Sequence, residues 1–133
     1  MEKDNTVDKS RNRKVLIIED EHFITELYQR VLLKAGYQVS VVIDGEEALK
    51  EAQTDNYDII LLDLMIPNLT GIDILNNLRN PHNKHQIKAK IIITTNLEQR
   101  SEVKHSIEEK ADAYLIKAEL TPNELVEFLD NVK

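Results

Sequence analysis

The 133-residue chain contains no cysteine and no tryptophan. Without cysteine there is no disulfide framework and no thiolate metal site. Three glycines and three prolines are too few for a collagen-like or Gly/Pro-rich low-complexity chain. No stretch approaches the roughly 20 consecutive apolar residues of a membrane-spanning helix. The first fourteen residues are polar and mixed in charge, and they lack the apolar centre of a secretory signal. Basic residues are scarce: 17 Lys and Arg against 24 Asp and Glu leave a net charge of −7. A duplex-DNA reader usually carries a basic patch. The single basic cluster here is Lys9, Arg11, Arg13 and Lys14, in the polar N-terminal stretch. These absences predict a cytoplasmic protein with no membrane segment and no direct DNA binding.

The apolar fraction of 41% supports one ordinary core. Residues 1–13 read as a polar tail, and residues 14–133 as a single domain. Within it, apolar runs alternate with amphipathic segments, the pattern of βαβ units and a parallel sheet. The runs are Val15–Ile18, Val39–Ile43, Ile59–Leu62, Ile91–Thr94 and Tyr114–Ile116. They are short, nearly continuous and rich in Ile, Val and Leu, as strands buried on both faces are.

The helices have readable boundaries. His22 to Ala35 places Phe23, Leu27, Val31 and Ala35 on one stripe, widened by Ile24 and Tyr28, and Gly36 is placed to stop it. Asp44 caps the next helix, with Glu47 expected to reach back in a capping box. Thr70 caps a helix carrying Ile72, Leu75 and Leu78, which ends before Pro81. Residues 99–110 carry few apolar groups, chiefly Val103 and Ile107, so this helix is expected to be the loosest. Thr121, Pro122 and Glu124 form a strong helix start. Leu125, Phe128, Leu129 and Val132 supply its apolar face. Pro81 to Lys90 is a polar loop in which His82 and His85 read as solvated histidines rather than metal ligands.

In an open α/β sheet, ligands bind outside the carboxyl ends of parallel strands. Four of the runs end in residues suited to phosphate or metal chemistry. The first leads into Glu19, Asp20 and Glu21, the third into Asp63, the fourth into Thr95 and the fifth into Lys117. Taken alone, Asp63 reads better as the cap of its loop. The same holds for a β-favouring threonine and a snorkelling lysine. Their agreement at four strand ends is what carries weight. Three carboxylates brought together demand a counter-charge, and a hard cation such as magnesium accepts oxygen ligands. An aspartate can act as a covalent nucleophile toward a phosphoryl group. Lys117 can meet a phosphoryl oxygen as a point charge, and Thr95 can donate one hydrogen bond.

In these residues the chain resembles the receiver domain of bacterial two-component response regulators, over about Lys14 to Val132. The matching text is Val15-Leu16-Ile17-Ile18-Glu19-Asp20-Glu21, Asp63-Leu64-Met65-Ile66-Pro67 with Gly71, Ile93-Thr94-Thr95, and Tyr114-Leu115-Ile116-Lys117. The resemblance implies a flavodoxin-like α/β fold, (βα)5, with a five-stranded parallel sheet in the order 2-1-3-4-5 and helices on both faces. It implies that Asp63 accepts a phosphoryl group from a sensor histidine kinase or phosphotransfer protein. Asp20, Asp63 and the backbone carbonyl of Met65 would ligate Mg2+ (or Mn2+), with Glu19 acting through water. Lys117 would pair with the phosphoryl group, and Thr95 and Tyr114 would switch. A downstream protein would be engaged through the 99–132 surface, and a phosphorylation-dependent homodimer is compatible with it. The domain would catalyse only its own phosphorylation and dephosphorylation. Met65 and Leu97, two residues past Asp63 and Thr95, are apolar and poorly suited to orient an attacking water, which predicts slow decay of the phosphorylated form.

Four positions depart from the family pattern. Ala118 stands where a proline, often cis, is usual. Asn96 stands beside the expected phosphoryl position in place of a smaller residue. Lys110 replaces a common glycine, and the His82–Lys90 connection is slightly long. Ala118 and Asn96 leave room for a phosphorylation-independent interaction module as the alternative function. An aspartate-nucleophile phosphatase would commonly need a general acid at position 65, which methionine cannot supply. A flavin-binding relative would need a loop of hydroxyls and glycines after the first strand, where this chain has Glu19-Asp20-Glu21.

Overall fold

The apolar runs segregate by parity into two buried layers, as strands with side chains alternating between two covered faces must. The computed structural model describes residues 13–96 and 101–132. Residues 1–12, Leu97 and residues 99–100 of the expected helix lie outside the described residues.

Five strands form one parallel sheet, β1 (Lys14–Ile18), β2 (Gln38–Val42), β3 (Ile59–Asp63), β4 (Lys90–Thr95) and β5 (Ala113–Ile116), in the order β2-β1-β3-β4-β5. The helices are α1 (His22–Lys34), α2 (Gly45–Gln53), α3 (Gly71–Leu78), α4 (Ser101–Lys110) and α5 (Pro122–Asp130). On one face Leu16, Ile18, Ile60, Leu62, Ile91 and Ile93 pack with residues of α2, α3 and α4. On the other, Val15, Ile17, Ile59, Leu61 and Ile92 pack with Tyr28 and Leu32 of α1 and Leu125 and Leu129 of α5. This is the expected flavodoxin-like architecture, and the strand order reverses between β1 and β3.

Capping chemistry fixes the helix boundaries. Gly36 adopts φ 102°, a left-handed conformation suited to glycine. Its N–H donates to Leu33 O, and the Tyr37 N–H donates to Leu32 O, closing α1 in a Schellman motif. Thr121 accepts from the Glu124 N–H while the Glu124 carboxylate accepts from the Thr121 N–H, a complete capping box with Pro122 at the first turn.

Two expectations need correction. The buried line of α1 runs through Thr25, Tyr28 and Leu32, flanked by Ile24, Leu27, Val31 and Ala35, while Phe23 is 73% exposed. The helix is rotated about its axis relative to the predicted stripe: Thr25 is buried, its hydroxyl satisfied by donating to His22 O, and Tyr28 and Leu32 pack into the core with Val15 and Ile17 of β1. At α2, Asp44 accepts from the N–H groups of Glu46 and Glu47 and from the Asn68 side-chain amide. Glu47 stays exposed and closes no capping box.

Gly45 and Gly71 are required by space. A Cβ on Gly71 would lie 2.3 Å from the backbone oxygen of Asp63, and one on Gly45 would lie 2.4 Å from that of Leu69. The loop from Leu64 to Thr70 therefore lies against the starts of α2 and α3, behind the last residue of β3.

Candidate functional site

Strand register brings the chemical residues to one edge. Ile18, the last residue of β1, pairs with Leu62, Asp63 with Thr94, and Thr95 with Ile116. Glu19, Asp63, Thr95 and Lys117 consequently emerge at neighbouring strand ends. A cleft of about 560 Å³ gathers Asp63, Asp20, Glu19, Thr95, Asn96 and Lys117, with Glu21 and Met65 completing its rim. Asp20 and Asn96 are exposed, while Glu19, Asp63, Thr95 and Lys117 are buried.

Lys117 is the cation of this group. Its Nζ donates to Glu19 Oε1 at 2.7 Å and lies 3.6 Å from Asp63 Oδ1. The Lys117 and Glu19 side chains are each 3% exposed, so the pair is desolvated. Among the described residues no peptide bond is cis, so the Lys117–Ala118 bond is trans. Lys117 still reaches both carboxylates, from a 3-10 turn at Lys117–Glu119. The second Glu19 oxygen, Oε2, accepts from the Glu21 N–H at 3.3 Å. Asp63 Oδ1 accepts from the Met65 N–H at 3.3 Å, so the backbone of residue 65 turns back onto the site. The Met65 side chain itself is 76% exposed.

Burial sets the electrostatics. It is the largest cause pushing the Glu19 carboxyl up to about 7, aided by the charge on Asp63 and opposed by the hydrogen bond from Lys117. Burial also raises Asp63, against the nearby charge of Lys117. Two buried carboxylates and one ammonium leave an excess of negative charge, and Asp20 adds to it. Oxygen atoms of Glu19, Asp20 and Asp63 lie within 4.8 Å of one another. This all-oxygen donor set fits a hard divalent cation and offers nothing to a soft one. It is the one such cluster among the described residues. His85 pairs instead with Asp55 at 3.0 Å.

Tyr114 is half-buried on the β5 edge, and Lys104 of α4 holds its ammonium 5.3 Å from the ring centroid. In α4 only Ile107 is buried among the described side chains, with Val103 beside it half-buried, as the sparse apolar pattern predicted.

The family description "Response regulator receiver domain" matches residues 15–130. The chain belongs to the response regulator receiver domain family. It is 37% identical over 106 residues to the alkaline phosphatase synthesis transcriptional regulatory protein PhoP of Bacillus subtilis, covering 80% of this chain and 42% of that protein. It is 32% identical over 120 residues to response regulator ArlR of Staphylococcus saprophyticus, covering 90% and 50%. This receiver thus spans about half the length of these curated relatives. Among solved structures, the receiver domain of Francisella response regulator 1452 superposes with a TM-score of 0.77 at 31% identity, over 90% of this chain and 94% of that one. The chemotaxis response regulator CheY4 of Vibrio cholerae gives 0.77 at 29%, over 91% and 98%.

Sequence reasoning missed two groups. Glu21 was named in the acidic triplet but given no role, although it lines the cleft and its N–H holds Glu19. Arg79, which caps α3, was not singled out at all. Its guanidinium donates to the carbonyls of Ile87, Ala89 and Lys110 and to the Asp112 carboxylate. It thereby fastens the long connection and the end of α4 to the sheet. An arginine two residues before Pro81 carries no sequence signal for that role.

Proposed function

We propose that this receiver accepts a phosphoryl group on Asp63 from a sensor histidine kinase or phosphotransfer protein, in a magnesium-dependent reaction, and so switches a protein-binding surface. The observation that carries it is Lys117 held 3.6 Å from Asp63 beside two further carboxylates at a cleft mouth. Asp20, Asp63 and the Met65 carbonyl would hold the cation, with Glu19 contributing through water. Bound there, Mg2+ or Mn2+ would supply positive charge to the equatorial oxygens of the transferring group.

The chain's own residues do the rest. An Asp63 carboxylate oxygen attacks phosphorus, the bond to the donor imidazole nitrogen breaks, and that nitrogen keeps the electron pair. Lys117 exchanges part of its contact with Glu19 for a phosphoryl oxygen. Thr95 donates its hydroxyl to another, and Asn96 stands at the rim where the donor enters. The Thr95 displacement is followed by Tyr114, which leaves Lys104 and alters the α4, β5 and α5 surface. Met65 offers no proton-transfer group, so water attack on the acyl phosphate is slow. Catalysis is confined to the domain's own phosphorylation and dephosphorylation. No helix among the described residues is long and apolar enough to cross a membrane, and we place the protein in the cytoplasm, with its kinase.

The test is intact-mass spectrometry after incubation with acetyl phosphate, with and without magnesium, beside Asp63→Asn. A magnesium-dependent gain of one phosphoryl group, absent from the variant, is the expected result. No gain, from acetyl phosphate or from phosphorylated kinases, would replace this reading with the phosphorylation-independent module.

A further inference from the structure

The two edges of the sheet are guarded unequally. β5 is short, at 4 residues, and Lys104 stands over its Tyr114. β2 has no such guard. From Gln38 to Ile43 the sequence carries no charged residue, no proline and no glycine, and the pairing of β2 with β1 runs without a bulge. Gln38 N–H donates to Arg13 O and Glu19 N–H donates to Val42 O, so Gln38, Ser40 and Val42 turn their backbone groups toward β1. The alternate residues of a parallel ladder, Val39 and Val41, turn theirs outward. Every side chain of β2 is half-buried or exposed, and Ile43, next beyond it, is 47% exposed. Native edges are ordinarily blunted by lysine, proline or a bulge, and an edge without them is a template for another strand.

We propose that β2 pairs with β2 of a second copy, antiparallel about a two-fold axis at Val41, and so joins the two sheets into one. Charge selects this occupant. Two chains of net charge −7 repel each other, and β2 is an uncharged strip along which they can meet. Antiparallel pairing lays the start of one strand beside the end of the other. Lys14 and Lys34, exposed near the start, then lie toward Glu46 and Glu47, exposed near the end. Parallel pairing would set like charge against like. The strand is also self-complementary, as a two-fold interface must be. With the axis at Val41, that residue meets its own copy, Ile43 covers Val39, and the Gln38 amide meets the Asp44 carboxylate. The outward N–H and C=O groups of Val39, Val41 and Ile43 then all find partners. A foreign strand would find no charge on β2 to read. The contact is small and belongs with weak interfaces. It uses neither Asp63 nor the surface of α4, β5 and α5, and it does not rest on the phosphoacceptor reading.

The test is sedimentation velocity of the full chain from about 10 to 500 µM, the affinity range of small interfaces. A monomer–dimer equilibrium is expected without magnesium or a phosphodonor. Across the same range, amide hydrogen exchange of the 15N-labelled chain should slow about threefold or more at Val39, Val41 and Ile43. Ser40 and Val42, already bonded to β1, should stay unchanged. Ser40→Lys/Ile43→Lys puts like charges beside the axis and is expected to weaken dimerisation about tenfold or more. Glu119→Gln/Glu127→Gln, with the same net charge, is expected to leave it unchanged. Val41→Pro removes an outward N–H and no bond to β1, so it tests the pairing without a charge and should also abolish it. Circular dichroism checks that each variant is folded. Four results would each overturn the proposal: a monomer at every concentration, a dimer in which Val39, Val41 and Ile43 exchange as fast as in dilute protein, equal losses in both double variants, or a dimer formed only after acetyl phosphate and magnesium.

Discussion

Replacing Gly71 by alanine sets two magnitudes against each other. Alanine at an ordinary helical position gains about 1 kcal/mol over glycine, which argues for a more stable protein. The added methyl would meet Asp63 O at 2.3 Å, the Leu64 Cα at 2.7 Å and the Asp63 carbonyl carbon at 3.0 Å. All three are backbone atoms at the end of a buried strand, and no side chain can rotate away. Ordinary contact begins near 3.4 Å, so the start of α3 must retreat by about an ångström. Overpacking in a filled interior costs about 1–3 kcal/mol, or more where backbone must move. Because only backbone can move, the clash falls at the upper end of that range and exceeds the helical gain by about 2 kcal/mol, so Gly71→Ala is expected to lower the melting temperature by about 8 °C, at about 4 °C per kcal/mol for this chain length. The same displacement pushes on Asp63, so magnesium-dependent phosphorylation should slow as well. Differential scanning calorimetry with a phosphorylation time course checks both. An unchanged or raised melting temperature would refute the packing argument.

Stability of the metal-free protein should fall as pH rises through the interval from the ordinary 4.5 of Glu19 to about 7. The native carboxyl holds its proton more tightly than the unfolded one, so unfolding releases protons there and stability drops by on the order of 3 kcal/mol across the interval. The raised Asp63 adds the same sign, and magnesium should flatten the slope, which thermal melts across pH would read. Lys117→Met should hold a proton on the Glu19–Asp63 pair to higher pH and cut phosphorylation about a hundredfold or more, as measured by the same melts and by mass-detected rates. Arg79→Ala strands the acceptors it satisfies and should cost about 1–3 kcal/mol in urea unfolding, with Arg79→Lys recovering only part because an ammonium cannot span the four partners.

How much was legible depended on whether a feature was local. Strand ends were, because Ile59 to Leu62 can only be buried and Asp63 can only end that run at an edge. The caps at Thr70 and Thr121 and the stop at Gly36 were equally readable. The rotation of α1 was not. Phe23 and Tyr28 fit a helical stripe equally well on paper, and only packing against the sheet selects the Thr25, Tyr28, Leu32 line. Glu19 illustrates a different limit. Its place at the acidic edge was plain, yet its pairing with Lys117 joins residues 98 positions apart. The reach of Lys117 from a trans Lys117–Ala118 bond is likewise a property of the folded turn.

The most direct test of the central claim locates the phosphoryl group. After incubation with acetyl phosphate and magnesium, borohydride reduces an aspartyl phosphate to homoserine, which tandem mass spectrometry of the peptides places in the sequence. The account predicts homoserine at position 63 alone, dependent on magnesium and strongly reduced in Lys117→Met. Homoserine at another acid, or label that forms without magnesium and survives Asp63→Asn, would contradict it.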